Sequence, residues 1–95
     1  MASQHARRSL GVGGLMYYVY ILRSIKFPAQ YYTGSTADLE ARLHKHNKGD
    51  VPHTAKLTPW ALEVFFAFQT EEKAQAFERY LKTGSGREFA RRHFR

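Results

Sequence analysis

Three helical or strand patterns in this chain are interrupted by ionisable or hydroxyl-bearing side chains where apolar ones are expected. Glu78 lies between Phe77 and Leu81, on the stripe that Ala74, Phe77 and Leu81 mark at helical spacing. A carboxylate there is costly unless a cation or strong donor holds it; the alternative is a place at the stripe's edge, reaching water or an arginine. Arg42 and His46 fall on or beside the face of Leu39 and Leu43. Being four apart, they can converge on one ligand, or Arg42 can lie over a sheet edge with its head in water. His44, two residues from His46, points elsewhere, so a His44/His46 metal pair is not supported. Tyr18, Tyr20, Tyr31 and Tyr32 cluster in two extended segments, where aromatic packing accounts for some of them. Arg, His, Glu and Tyr together form a coherent set for phosphoryl hydrolysis. The carboxylate holds Mg²⁺ through hard oxygen contacts, and the arginine neutralises charge building on the phosphate. The tyrosine or histidine positions or deprotonates the attacking water.

The elements that must position these residues are legible from pattern. Tyr17 to Arg23 is β-branched and aromatic throughout, a strand with Tyr18, Tyr20 and Leu22 on one face and Tyr17, Val19 and Ile21 on the other. Both faces are apolar, so it expects cover on both sides. Gln30 to Gly34 is a second strand, antiparallel to the first across a hairpin. Ser35 and Thr36 read as caps, with Asp38 completing a Ser-x-x-acid pattern, for a helix over 37–48 stopped by a left-handed Gly49. The loop Asp50 to Pro59 offers His53, Thr54 and Lys56 to phosphate. Leu62, Val64, Phe66 and Phe68 alternate on one face of a third strand. Thr70 caps a helix over 71–83, Gly84 stops it, and Ser85 to Glu88 is a capping box for a terminal helix. The order strand, strand, helix, strand, helix, helix implies an α/β (α+β) sandwich, a small three-stranded sheet flanked by helices.

Length and composition narrow the setting. At 95 residues the chain holds one domain with one compact core. The expected organisation is a disordered leader over 1–15, with the folded domain at 16–95. No stretch of the leader has the apolar centre of a signal peptide, and no run approaches the roughly 18–20 apolar residues of a membrane span. The absence of cysteine excludes disulfides and thiolate zinc sites, and fits the cytoplasm. With 15 Lys+Arg against 8 Asp+Glu, the net charge of +7 favours a polyanionic partner. The basic residues are spread along the chain rather than confined to one helix face, which fits nucleic acid better than a membrane.

The ordered set of residues resembles the GIY-YIG nuclease superfamily. Tyr18-Val19-Tyr20 is similar to its GIY element and Tyr32-Thr33-Gly34 to its YIG element, twelve residues further on. Arg42 in Leu39-x-x-Arg-Leu, His46 followed by Asn47, and Glu78 continue the match across 16–94. The stretch from Leu81 to Phe89 is similar to short, free-standing members related to the excinuclease incision subunit. The resemblance implies a DNA endonuclease, with a link to DNA repair, in which Glu78 holds one Mg²⁺ (or Mn²⁺). Tyr20 is then general base or water-positioning residue, and Tyr32 supports the phosphate or the nucleophile. Arg42 stabilises the pentacovalent phosphate, and His46 is proton carrier or phosphate contact. Whether Tyr20 or His46 takes the proton stays open. Lys45, His53, Lys56, Lys82 and Arg87 are the expected nucleic-acid contacts. Two departures stand out: Tyr18 replaces the first glycine of the GIY element, and no asparagine occurs between Lys82 and Arg87. There Lys82, Ser85 or Arg87 stands in. The alternative is a weakly catalytic nucleic-acid-binding module of the same fold, against which a carboxylate in a basic groove argues. A protein-interaction domain leaves the charge unexplained. The expected state is a monomer or weak homodimer, since one site cuts one strand.

Overall fold

Two apolar faces on the first strand require two layers of cover, and the computed structural model, which describes residues 15–95, shows how they are supplied. Strands β1 (Tyr17–Ser24), β2 (Tyr31–Thr36) and β3 (Trp60–Phe68) form one antiparallel sheet in the order β2-β1-β3. Helix α1 (Leu39–Asn47) follows β2, a 3₁₀ turn (Ala55–Leu57) precedes β3, and α2 (Glu71–Leu81) and α3 (Gly84–Phe94) complete the chain. The element order is the one expected. The expected leader lies outside the described residues except for Leu15, and none of the described helices is long and apolar enough to cross a membrane.

Val19 and Ile21 are buried under Ala74, Phe77 and Leu81 of α2 and Phe89 and Ala90 of α3. On the opposite face Tyr20, Leu22 and Trp60 are buried under Leu39 and Leu43 of α1, with Tyr32, Leu57 and Leu62 closing the edges. Each fully buried aliphatic side chain contributes about 1.5–3 kcal/mol, so the central strand anchors both layers.

Three local expectations change. Leu62 does not share a face with Val64, Phe66 and Phe68. Ile21 pairs with Val64 but Leu22 pairs with Leu62, so Glu63 is an extra residue that forms a β-bulge. Past the bulge the alternation inverts, and Leu62 and Trp60 join the α1 face. Second, Ser35 and Thr36 are still paired in β2, opposite Val19 and Tyr18, so neither caps α1. Asp38 does so, its carboxylate accepting the Ala41 N–H at 3.1 Å. Gly49 alone among the described residues has positive φ, at 80°, as the end of α1 requires. Third, α2 ends at Leu81 and Gly84 begins α3. Thr83 is the cap there, taking the Gly86 N–H at 3.2 Å, and Ser85 sits inside the first turn.

Candidate active site

The site is built around the hydroxyl of Tyr20, in the middle of the central strand and only 1% exposed. Its partner is His46, from the last turn of α1 and 0% exposed, with Nε2 at 2.9 Å from the hydroxyl. The other ring nitrogen, Nδ1, is 2.8 Å from the hydroxyl of Thr54, which is 1% exposed. One turn earlier on α1, Arg42 acts on the Tyr20 hydroxyl with its charge, and its Nη1 lies 3.5 Å from the carbonyl of Ser35. The ring of Tyr32 lies 5.0 Å from that of His46 and 6.3 Å from that of Tyr20. Gly34 faces Tyr20 across the β1–β2 ladder and leaves the space its hydroxyl occupies.

Glu78 reaches this cluster from the opposite layer. It stands on α2, and its carboxylate accepts from the Ser35 hydroxyl at 2.7 Å and from Lys82 Nζ at 2.9 Å. Ser35 therefore joins the two halves of the site: its side chain holds Glu78, while its carbonyl faces Arg42. The site straddles β2, an edge strand, and the Glu78 side chain keeps 22% of its surface in solvent.

Environment separates the protonation states. Burial, reinforced by the neighbouring Tyr32 and Glu78, pushes the Tyr20 hydroxyl up to about 12 against the opposing pull of Arg42. Burial, then the Arg42 charge, moves His46 below its ordinary value. Burial acts to raise Glu78, but the hydrogen bonds from Ser35 and Lys82 and the charges of Lys82 and Arg79 outweigh it and hold the carboxyl low. At neutral pH the cluster is a neutral phenol, a neutral imidazole and an ionised carboxylate.

The sequence-predicted Tyr20, Tyr32, Arg42, His46 and Glu78 are thus brought together. Lys82 and Arg87 line a cavity of ≈ 300 Å³ between β2 and the last two helices, with Tyr31, Tyr32 and Arg95. There the Arg95 guanidinium lies 4.5 Å and that of Arg23 5.7 Å from the centre of the Tyr31 ring. Lys45, His53 and Lys56 are exposed on α1 and the loop after it and take no part in the hydrogen-bonded cluster. Thr54 does not face phosphate, being buried against His46. Sequence reasoning missed Ser35, which it read as a cap, and the structural part of Asn47. The amide of Asn47 takes the Trp60 N–H at 2.6 Å and gives a hydrogen bond to the Trp60 carbonyl at 3.1 Å. A polar residue directly after a candidate catalytic histidine was the available signal.

Among the described residues no three His, Asp or Glu side chains converge as a metal cage. A lone, ionised, partly exposed carboxylate fits Mg²⁺, which keeps most of its waters and takes one or two carboxylates plus substrate phosphate.

Comparison with known proteins identifies a family for this chain. The family described as the GIY-YIG catalytic domain matches residues 16–92. The chain is 38% identical over 68 residues to the structure-specific endonuclease subunit slx1 of Talaromyces marneffei and 37% identical over 67 residues to the corresponding subunit of Malassezia globosa. Those matches cover 65% and 66% of this chain but only 18% and 15% of the two subunits, so the chain spans less than a fifth of either. A UPF0213 protein of Clostridium perfringens is 38% identical over 68 residues, covering 70% of this chain and 71% of that protein. The solution structure of a UPF0213 protein from Bacillus halodurans superimposes with a TM-score of 0.47 at 31% identity, covering 78% of this chain and 80% of that one.

Proposed function

Because the chain belongs to the GIY-YIG catalytic-domain family, we propose that it is a metal-dependent endonuclease hydrolysing phosphodiester bonds in DNA. The observation that carries this reading is the bonded pair of Tyr20 and His46, with Arg42 beside it, set against an ionised Glu78 across one edge strand. A nucleic-acid-binding surface has no use for such a cluster.

In this reading Tyr20 orients the attacking water and accepts its proton while passing its own to His46. A hydroxyl pushed up to about 12 is a poor base alone, but a neutral imidazole at hydrogen-bond distance makes the transfer concerted. Arg42 donates to the non-bridging oxygens as their charge grows in the transition state. Tyr32 packs against His46 and fixes the ring's plane. Glu78 would hold the divalent cation, Mg²⁺ or Mn²⁺, which supplies Lewis-acid stabilisation to the phosphate and the leaving oxygen. Lys82, Arg87 and Arg95 extend the positive surface from Glu78 along the cavity, where flanking phosphates lie.

One observation favours the binding-module alternative: Lys82 already neutralises Glu78, so the carboxylate repels phosphate less than an isolated one. The deciding experiment is cleavage of labelled flap, branched, nicked, single-stranded and duplex DNA, and of RNA, in Mg²⁺, Mn²⁺ or EDTA, by wild type and Glu78→Ala. Cutting of DNA that needs the metal and disappears in the variant supports the nuclease. Intact substrates in every lane, with equal salt-sensitive binding by both proteins, would leave the binding module.

A further inference from the structure

We propose that Thr54 is a positioning residue for proton transfer, its buried hydroxyl holding His46 in the tautomer whose Nε2 is free to accept the Tyr20 proton. The catalytic consequence rests on the nuclease reading above; the tautomer itself does not.

The argument is an accounting of protons in a closed space. The Thr54 hydroxyl has one proton and two neighbours: His46 Nδ1 at 2.8 Å and the carbonyl of Val51 at 3.3 Å. A carbonyl can only accept, so a hydroxyl turned to Val51, whose carbonyl also takes the Thr54 N–H at 3.0 Å, leaves the Thr54 oxygen to accept from Nδ1–H. The other end of the ring gives the same answer independently. Arg42, whose charge acts on the Tyr20 hydroxyl, has donors only and cannot take its proton. The Tyr20 proton therefore needs an acceptor, and Nε2 stands at 2.9 Å. With the opposite tautomer the Tyr20 oxygen would take the Nε2 proton and its own proton would have no acceptor among these neighbours. His46 and Thr54 are each at most 1% exposed, so bulk water does not correct a mismatch at Nδ1.

Thr54 is itself held in place. Its carbonyl accepts from Trp60 Nε1 at 3.0 Å, the Trp60 backbone is gripped by Asn47, and Asn47 follows His46 on α1. The bonds run from His46 to Thr54, to Trp60, to Asn47 and back to the helix that carries His46. A threonine in a loop is thus fixed as firmly as a residue in a regular element.

The test is the ¹⁵N spectrum of the His46 imidazole in the full chain, for wild type, Thr54→Val and Thr54→Ser. Valine keeps the shape and loses the hydroxyl; serine keeps the hydroxyl. Wild type should show protonated Nδ1 and unprotonated Nε2, Thr54→Val a mixed or inverted pair, and Thr54→Ser the wild-type pattern. On the cleaved substrate Thr54→Val should lower kcat about 10²-fold with KM unchanged, and Thr54→Ser should recover most of it. A wild-type spectrum with protonated Nε2, or an unaltered spectrum in Thr54→Val, overturns the inference. Should the valine variant not fold, Thr54→Ala provides the same readout. If wild type cleaves nothing, the nuclease reading fails while the spectra still decide the tautomer.

Discussion

Replacing Gly34 by alanine tests how the site is built. The backbone there would accept any residue, because its φ is not positive. The obstacle is space. An added Cβ would lie 2.5 Å from the Tyr20 hydroxyl oxygen, 2.8 Å from its Cζ and 3.1 Å from Cε2 of Tyr32. Non-bonded atoms settle at about 3.5–4.0 Å, so the end of Tyr20 must retreat by roughly 1 Å. Tyr20 and His46 are both buried, and a retreat of that size takes their 2.9 Å bond outside hydrogen-bonding range. Two magnitudes follow. Overpacking costs about 1–3 kcal/mol of stability, which at about 4–8 °C per kcal/mol lowers the melting temperature by at least several degrees. A 1 Å misplacement of a reacting group costs about 10²-fold in rate. The assay is thermal melting by circular dichroism beside initial cleavage rates in Mg²⁺, taken far below the lowered transition so that the variant is fully folded. The rate should stay about 10²-fold down even there. Adding Tyr20→Phe removes the closest clash and should restore part of the stability but no activity. A Gly34→Ala protein cutting at the wild-type rate when folded would refute the claim that this glycine sets the position of Tyr20.

Asn47→Ala removes both bonds to the Trp60 backbone and should cost about 1–3 kcal/mol, read as a lower urea midpoint at unchanged slope. His46 is held below its ordinary value by burial and then by Arg42, so the folded chain binds fewer protons than the unfolded one as pH falls through 6.5. Stability should therefore be level above about pH 7 and decline on acidification below the unfolded value. His46→Gln should lose that share of the decline in a calorimetric pH series, and an unchanged slope would count against a buried neutral imidazole. Arg87 makes no ion pair among the described residues and lines the cavity beside Glu78. Arg87→Ala should weaken DNA binding in EDTA and lower the slope of log K against log salt by about 1, whereas a change in affinity at constant slope would remove it from the phosphate path.

Much of this architecture is legible in the chain because it is written in local patterns. A strand apolar on both faces announces the centre of the sheet, and a carboxylate inside a helix stripe announces a partner. The i,i+4 spacing of Arg42 and His46 forecasts their convergence on Tyr20. What local patterns do not carry is the role of short polar residues whose partners are distant in sequence. Ser35 meets Glu78 across 43 positions, and it reads as a cap only because serine before an acid usually is one. Thr54 sits in a polar, proline-flanked loop, where nothing in its neighbourhood forecasts burial. Burial, which no residue type announces, raises Tyr20 and lowers His46, so both are neutral at rest and the proton stays on the phenol.

The bulge in β3 has a consequence beyond sheet geometry. Glu63 is exposed and takes no part in the cluster, yet its bulge sets the phase of everything upstream of it in that strand. Were it paired regularly instead of bulged out, alternation would carry Trp60 and Leu62 through the sheet to the α2 side. The indole would then leave the carbonyl of Thr54, and Asn47 would lose the backbone it grips. A single surplus residue thus works as a frame setting: it lets one strand serve the packing of one layer along most of its length and the alignment of a proton path at its start. Point substitutions at position 63 should pass almost unnoticed, and so should its deletion, which leaves Leu62 opposite Leu22, whereas a pairing that absorbed Glu63 into the ladder would be read by the active site.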